Sequence, residues 1–145
     1  MSRSENAVNR FREGYCCSQS VLSSFSDKLS ISTDAALKMA DGFGAGMGRK
    51  QQVCGAVTGS ILVLGFLYGR GENEPVGKHE YTYAKVKEFM DHFEALHGSV
   101  ICRELLKGCD LLIPQGQERF KAENMIEGCY GFVNDAVRLL EDIID

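Results

Sequence analysis

Six cysteines, Cys16, Cys17, Cys54, Cys102, Cys109 and Cys129, are the residues of this chain whose chemistry reaches furthest. Thiolates ligate zinc and iron–sulfur clusters and exchange with disulfides, whereas a buried thiol packs as a small hydrophobe. No C-x-x-C pair is present, so the spacing of a zinc ribbon or a ferredoxin is missing. The absence of C-x-x-C-H excludes a covalently attached haem. Spacing alone therefore leaves inert packing, metal or cluster ligation and thiol exchange all open.

Position within the elements says more. Cys17 follows Gly14 and Tyr15 and is predicted to open a helix. Cys54, after Arg49-Lys50-Gln51-Gln52, opens another; Cys102 falls in the first turn after Gly98-Ser99, and Cys129 after Gly128 leads the last. First-turn N–H groups carry a partial positive charge that favours thiolate over thiol. Phase points the same way. Cys129 precedes Phe132 and Val133 by three and four residues, Cys102 shares a face with Leu105 and Leu106, and Cys17 lies four before Val21. All three are expected to face inward. The doublet Arg49-Lys50 could also raise thiolate character at Cys54.

Helical periodicity dominates the elements that must hold these residues. Ala7, Val8 and Phe11 begin a helix that Gly14 ends, and a second runs from Cys17 through Val21, Leu22 and Phe25. Ser32-Thr33-Asp34 cap a third, with apolar positions Ala36, Met39, Ala40 and Phe43. The glycine-dense Gly42–Gly48 forms a tight turn; it lacks the third glycine of a dinucleotide fingerprint and no strand precedes it. Val53–Tyr68 is apolar nearly all round, as expected of a central helix surrounded by the others. Gly69–Lys78 is a loop. Val86, Phe89, Met90, Phe93 and Leu96 mark a long helix stopped by Gly98; short and long helices follow from Val100 and Cys129. Alternation of the strand type is absent. The expectation is one all-α domain over 1–145, a bundle of about six to seven helices around the glycine-containing central one.

Composition removes other classes. The 145 residues are 44% apolar and 25% charged, an ordinary globular balance. A net charge of −4 offers no footprint for nucleic acid, and Val53–Tyr68 is too short and glycine-rich for a membrane span. Met1–Asn6 contains no apolar signal segment, so a reducing cytoplasm is expected, where disulfide staples are rare. His79, His92 and His97 lack ligand spacing and are expected at the surface. Asp91, Glu94 and Glu127 belong to polar faces, and Asp110 to a cap or turn.

The segment Cys54-Gly55-Ala56-Val57-Thr58-Gly59, set among the other cysteines, resembles a family of small redox-active proteins named for its pattern of one Cys, a Cys-Gly-Ala-x-x-Gly element and two further Cys. Gly14–Val21 is similar to its first-cysteine segment, Gly42–Met47 to its glycine turn, and Cys102–Leu106 and Cys129 to its last two cysteines. The family is itself similar to the non-haem, cluster-bearing part of split-Soret cytochromes. The resemblance implies that Cys17, Cys54, Cys102 and Cys129 ligate a [2Fe–2S] centre for electron transfer with an unspecified redox partner protein. Gly55 and Gly59, four apart on one helix face, would admit a neighbouring helix or the cofactor. Two alternatives stand beside this: a thiol–disulfide protein cycling a pair drawn from Cys16, Cys17, Cys54 and Cys109, and a non-catalytic zinc or packing module. No haem is implied, and a homodimer is left open.

Overall fold

The computed structural model describes residues 1–145; all its regular elements are helical, and the single strand-type pairing is an isolated antiparallel bridge between Val53 and Ile101. Helix α1 (Arg3–Arg12) starts earlier than the apolar pattern suggests, because Ser2 and Glu5 form a reciprocal capping box. Helices α2 (Cys17–Ser24), α3 (Ser26–Leu29) and α4 (Thr33–Ala40) follow, the last capped by the Ser32 hydroxyl accepting from the Ala35 N–H. After the one-turn α5 (Gly44–Met47) come α6 (Gly55–Tyr68) and α7 (His79–His97), which Gly98 ends at φ 86. The chain closes with α8 (Cys102–Leu105), α9 (Pro114–Ala122) and α10 (Ile126–Ile143). No helix is long and apolar enough to cross a membrane.

The main core gathers residues from both halves of the chain, with Val21 and Leu22 of α2 and Phe25 just after it against Val57, Val63 and Leu64 of α6, Phe89 and Phe93 of α7 and Val133, Val137 and Leu140 of α10. Helix α6 was expected to be enclosed on all sides. Its first half is buried, but the second emerges, leaving Phe66 56% exposed. Met39 and Leu96, assigned to inward stripes, also face solvent. His97 departs in the other direction. It is largely covered between Phe93 and Phe132, with Nε2 3.0 Å from an Asp135 carboxylate oxygen. A second, smaller cluster of Cys102, Leu106 and Cys109 lies under α9 and the start of α10.

The start of α10 also differs from expectation. The chain reverses at Asn124, whose φ is 50, and helical geometry resumes at Ile126, so Cys129 sits fourth in the helix rather than at its head.

Candidate functional site

Backbone pairing sets two of the cysteines side by side. Around the Val53–Ile101 bridge, the Cys54 N–H donates to the Val100 carbonyl at 2.8 Å, and the Cys102 N–H donates to the Gln52 carbonyl at 2.6 Å. Cys54 is the residue capping α6 and Cys102 the first residue of α8. A single bridged pair leaves no alternating pattern, which is why the sequence does not announce it.

The third cysteine arrives through glycine. A side chain at Gly59 would place its Cβ 2.8 Å from the Ser18 carbonyl oxygen, and one at Gly55 would stand 3.2 Å from the Cys17 Cβ. The absence of both side chains lets the head of α2 rest on α6. Gly59 thus serves helix packing, while Gly55 also lines the site. Cys129 completes the group from α10, its thiol and that of Cys17 each influencing the other's ionisation.

Cys17, Cys54, Cys102 and Cys129 line one apolar cavity of ≈ 160 Å³, walled otherwise by side chains such as Phe11, Leu106 and Phe132. Cys16 reaches the same cavity from the cap of α2, its sulfur 3.2 Å from the Ser18 hydroxyl. Cys109 stays outside. Its thiol donates to the Gly116 carbonyl at 3.0 Å within the smaller cluster. All six are free thiols. No three His, Cys, Asp or Glu side chains are drawn close enough to share a single metal ion.

Residues 15–143 match the family model described as putative redox-active protein, C_GCAxxG_C_C. The chain belongs to this family. No curated protein and no solved structure matches it. The cavity joins Cys17, Cys54, Cys102 and Cys129 although Cys17 and Cys129 are separated by most of the chain.

Burial, not the helix terminus, dominates the acidity of two C_GCAxxG_C_C thiols. Desolvation pushes Cys54 up to about 12 and Cys102 up to about 11, the latter opposed by a hydrogen bond from Gln51 and by the Arg103 charge. Cys17 is raised by its interaction with Cys129 and by burial, and the same interaction lowers Cys129. Arg49 and Lys50, expected to act on Cys54, point into solvent and do not figure among the causes of its shift.

The glycine turn does more than reverse the chain. Ala45, Gly46, Met47, Gly48 and Arg49 all have positive φ, a left-handed run that L-residues avoid. Gly46 lies so close to Gln51 that a Cβ would come within 2.5 Å of its Cα. Gln51 itself, also at φ 56, is 2% exposed and missed by sequence reading. Its Nε2 donates to the Cys109 carbonyl at 2.7 Å, its Oε1 accepts from the Leu111 N–H at 2.9 Å, and its carbonyl accepts from the Arg103 N–H at 3.2 Å. Set in a polar run of Arg49-Lys50-Gln51-Gln52, it carries no signal separating it from its solvated neighbours. Asp110 fulfils the turn role read from sequence, with Oδ1 accepting from the Leu112 N–H.

Proposed function

We propose that this protein is a one-electron carrier whose Cys17, Cys54, Cys102 and Cys129 hold a [2Fe–2S] centre. The observation that carries the reading is the convergence of these sulfurs on one apolar cavity of ≈ 160 Å³. The donor set fits the group. It is all thiol, with no carboxylate or imidazole in the cavity wall, and soft sulfur ligands suit iron–sulfur clusters. The family's redox-active description agrees with it.

A single zinc ion suits the geometry less well. Zinc draws four ligands to about 2.3 Å from one point. Here the sulfurs surround a space, and no three donors lie close enough to share one ion. The thiols fall into two neighbouring sets, Cys17 with Cys129 and Cys54 with Cys102, which suits a centre with two metal positions. When bound, the centre would supply a reversible one-electron change. The chain's residues would supply thiolates, exclude water through Phe11, Leu106 and Phe132, and hold the sulfurs in or beside helices.

Anaerobic purification followed by iron and sulfide addition tests the reading. About two irons and two sulfides per chain are expected, with visible absorption that dithionite bleaches. Protein that stays colourless after reconstitution rejects it.

The thiols of Cys17 and Cys129, which share the cavity and influence each other's ionisation, favour a second reading, a dithiol that closes to a disulfide. Two electrons and two protons would then pass to an oxidising disulfide, which leaves as two thiols. Of the pairs the sequence suggested, Cys109 is turned away from the cavity, and neither it nor Cys16 takes part in this contact. Loss of two titratable thiols on mild oxidation of metal-free protein, absent in Cys129→Ser, distinguishes this reading.

A further inference from the structure

Arg49 and Lys50 are left unused by the site. Both are exposed and neither enters an ion pair, unlike Arg103 and Arg119. They stand at the outer edge of the left-handed turn. Its inner residues Ala45 and Gly46 line the cysteine cavity, while Met47, Gly48, Arg49 and Lys50 face solvent. The chain thus passes from cavity wall to protein surface within two residues.

Further cations are tied to this edge by backbone contacts. The Arg103 N–H donates to the Gln51 carbonyl, which seats the start of α8 beside the turn. Arg119 donates to the Lys107 carbonyl at 3.2 Å and brings α9 alongside. Arg103 is matched by Asp110 and Arg119 by Glu123, but Arg49, Lys50 and Lys107 have no carboxylate partner. Asp41, at the entry to the turn, and Glu104, between Arg103 and Lys107, are the exposed anions beside these cations.

The rest of the surface has the opposite sign. The chain as a whole carries −4, and residues 130–145 hold Asp135, Glu141, Asp142 and Asp145 against Arg138 alone. Cys129 lies near the start of α10, so at a rise of about 1.5 Å per residue its acidic end is ~20 Å from the cavity. A charge distribution of this kind orients an approaching protein before contact.

We propose that the edge formed by Met47–Lys50 with Arg103 and Lys107 docks an electron-carrier protein with an acidic surface. The inference rests on the electron-carrier reading above. In the productive complex the reduced carrier loses one electron and the oxidised centre gains one, with no atom transferred.

Flavodoxin, an acidic flavin carrier, is the probe, added to ¹⁵N-labelled protein in both cluster-free and reconstituted form. Amide shifts are expected at residues 45–51 and 103–107, weakening at least ~10-fold when salt rises to a Debye length of a few ångströms. The double variant R49E/K50E should bind flavodoxin and accept its electron about 10-fold more slowly, with its visible spectrum unchanged. Shifts confined to another face, no shifts at all, or equal binding by the double variant overturn the docking surface. Tighter binding of basic cytochrome c at the same residues does so too. Because cluster-free protein is titrated as well, a failed reconstitution sinks the centre without deciding the surface.

Discussion

Three of the cavity thiols, Cys17, Cys54 and Cys102, resist ionisation until something takes the proton's place, while Cys129 is shifted the other way. Cys54 is buried and displaced upward from 9.0 to about 12. Its folded value lies above its unfolded one, so the stability it contributes is complete below pH ~8.5 and is lost as pH rises toward 12. Metal-free protein should lose a few kcal/mol across that window, and Cys54→Ser, which does not titrate there, should flatten the profile; denaturant midpoints against pH measure it. Replacing any of Cys17, Cys54, Cys102 or Cys129 by Ser should lower bound iron at least several-fold, whereas Cys109→Ser should keep it. Gln51 argues differently, through what it leaves behind. Gln51→Leu strands the Cys109 carbonyl and the Leu111 N–H in a buried place, so a loss of about 2–4 kcal/mol is expected by denaturant unfolding.

At the scale of elements, glycine decides how close α2 comes to α6. Gly59→Ala puts a methyl 2.8 Å from backbone that cannot swing aside, and about 1–3 kcal/mol of destabilisation with weaker iron retention should follow. Gly65→Ala, on the same helix but with nothing within 4 Å, should stabilise by about 0.5–1 kcal/mol through helix propensity alone. Equal effects in the two variants would show that packing on α2 is not what Gly59 supplies. The same helices explain what sequence could reach. Long periodic segments such as Val86–Phe93 declared themselves, as did the helix starts at Cys17 and Cys102. Helix α9 did not, because it buries only Gly116 and carries no apolar stripe. The left-handed run through Ala45, Met47 and Arg49 was equally silent, since propensity never favours it and only tertiary contact holds it. Gathering of the cysteines was legible as a shared phase and a family pattern; the bridge that sets Cys54 beside Cys102 was not.

For the molecule as a whole, the cavity lies on a seam between parts of unequal firmness. One wall comes from α2, α6 and α10, which share the main core of 20 buried residues. The other comes from the segment of α8 and α9, whose own cluster has only 3 buried residues and which is fastened by the Val53–Ile101 bridge and the Gln51 amide. Regions with few buried apolar contacts open locally at lower free energy than the global transition. The segment 102–125 should therefore be the first to exchange its amide hydrogens in metal-free protein. A centre ligated by Cys102 on this side and by Cys17, Cys54 and Cys129 on the other would tie the two parts together, and binding to the folded state alone adds stability by mass action. Hydrogen-exchange mass spectrometry before and after reconstitution should show protection rising chiefly in peptides from 102–125, with a higher unfolding temperature. Chelation should reverse both. Protection that rises evenly along the chain, or only around Cys17 and Cys129, would mean that Cys102 is not drawn into the same centre, leaving those two sulfurs to act as a pair on their own.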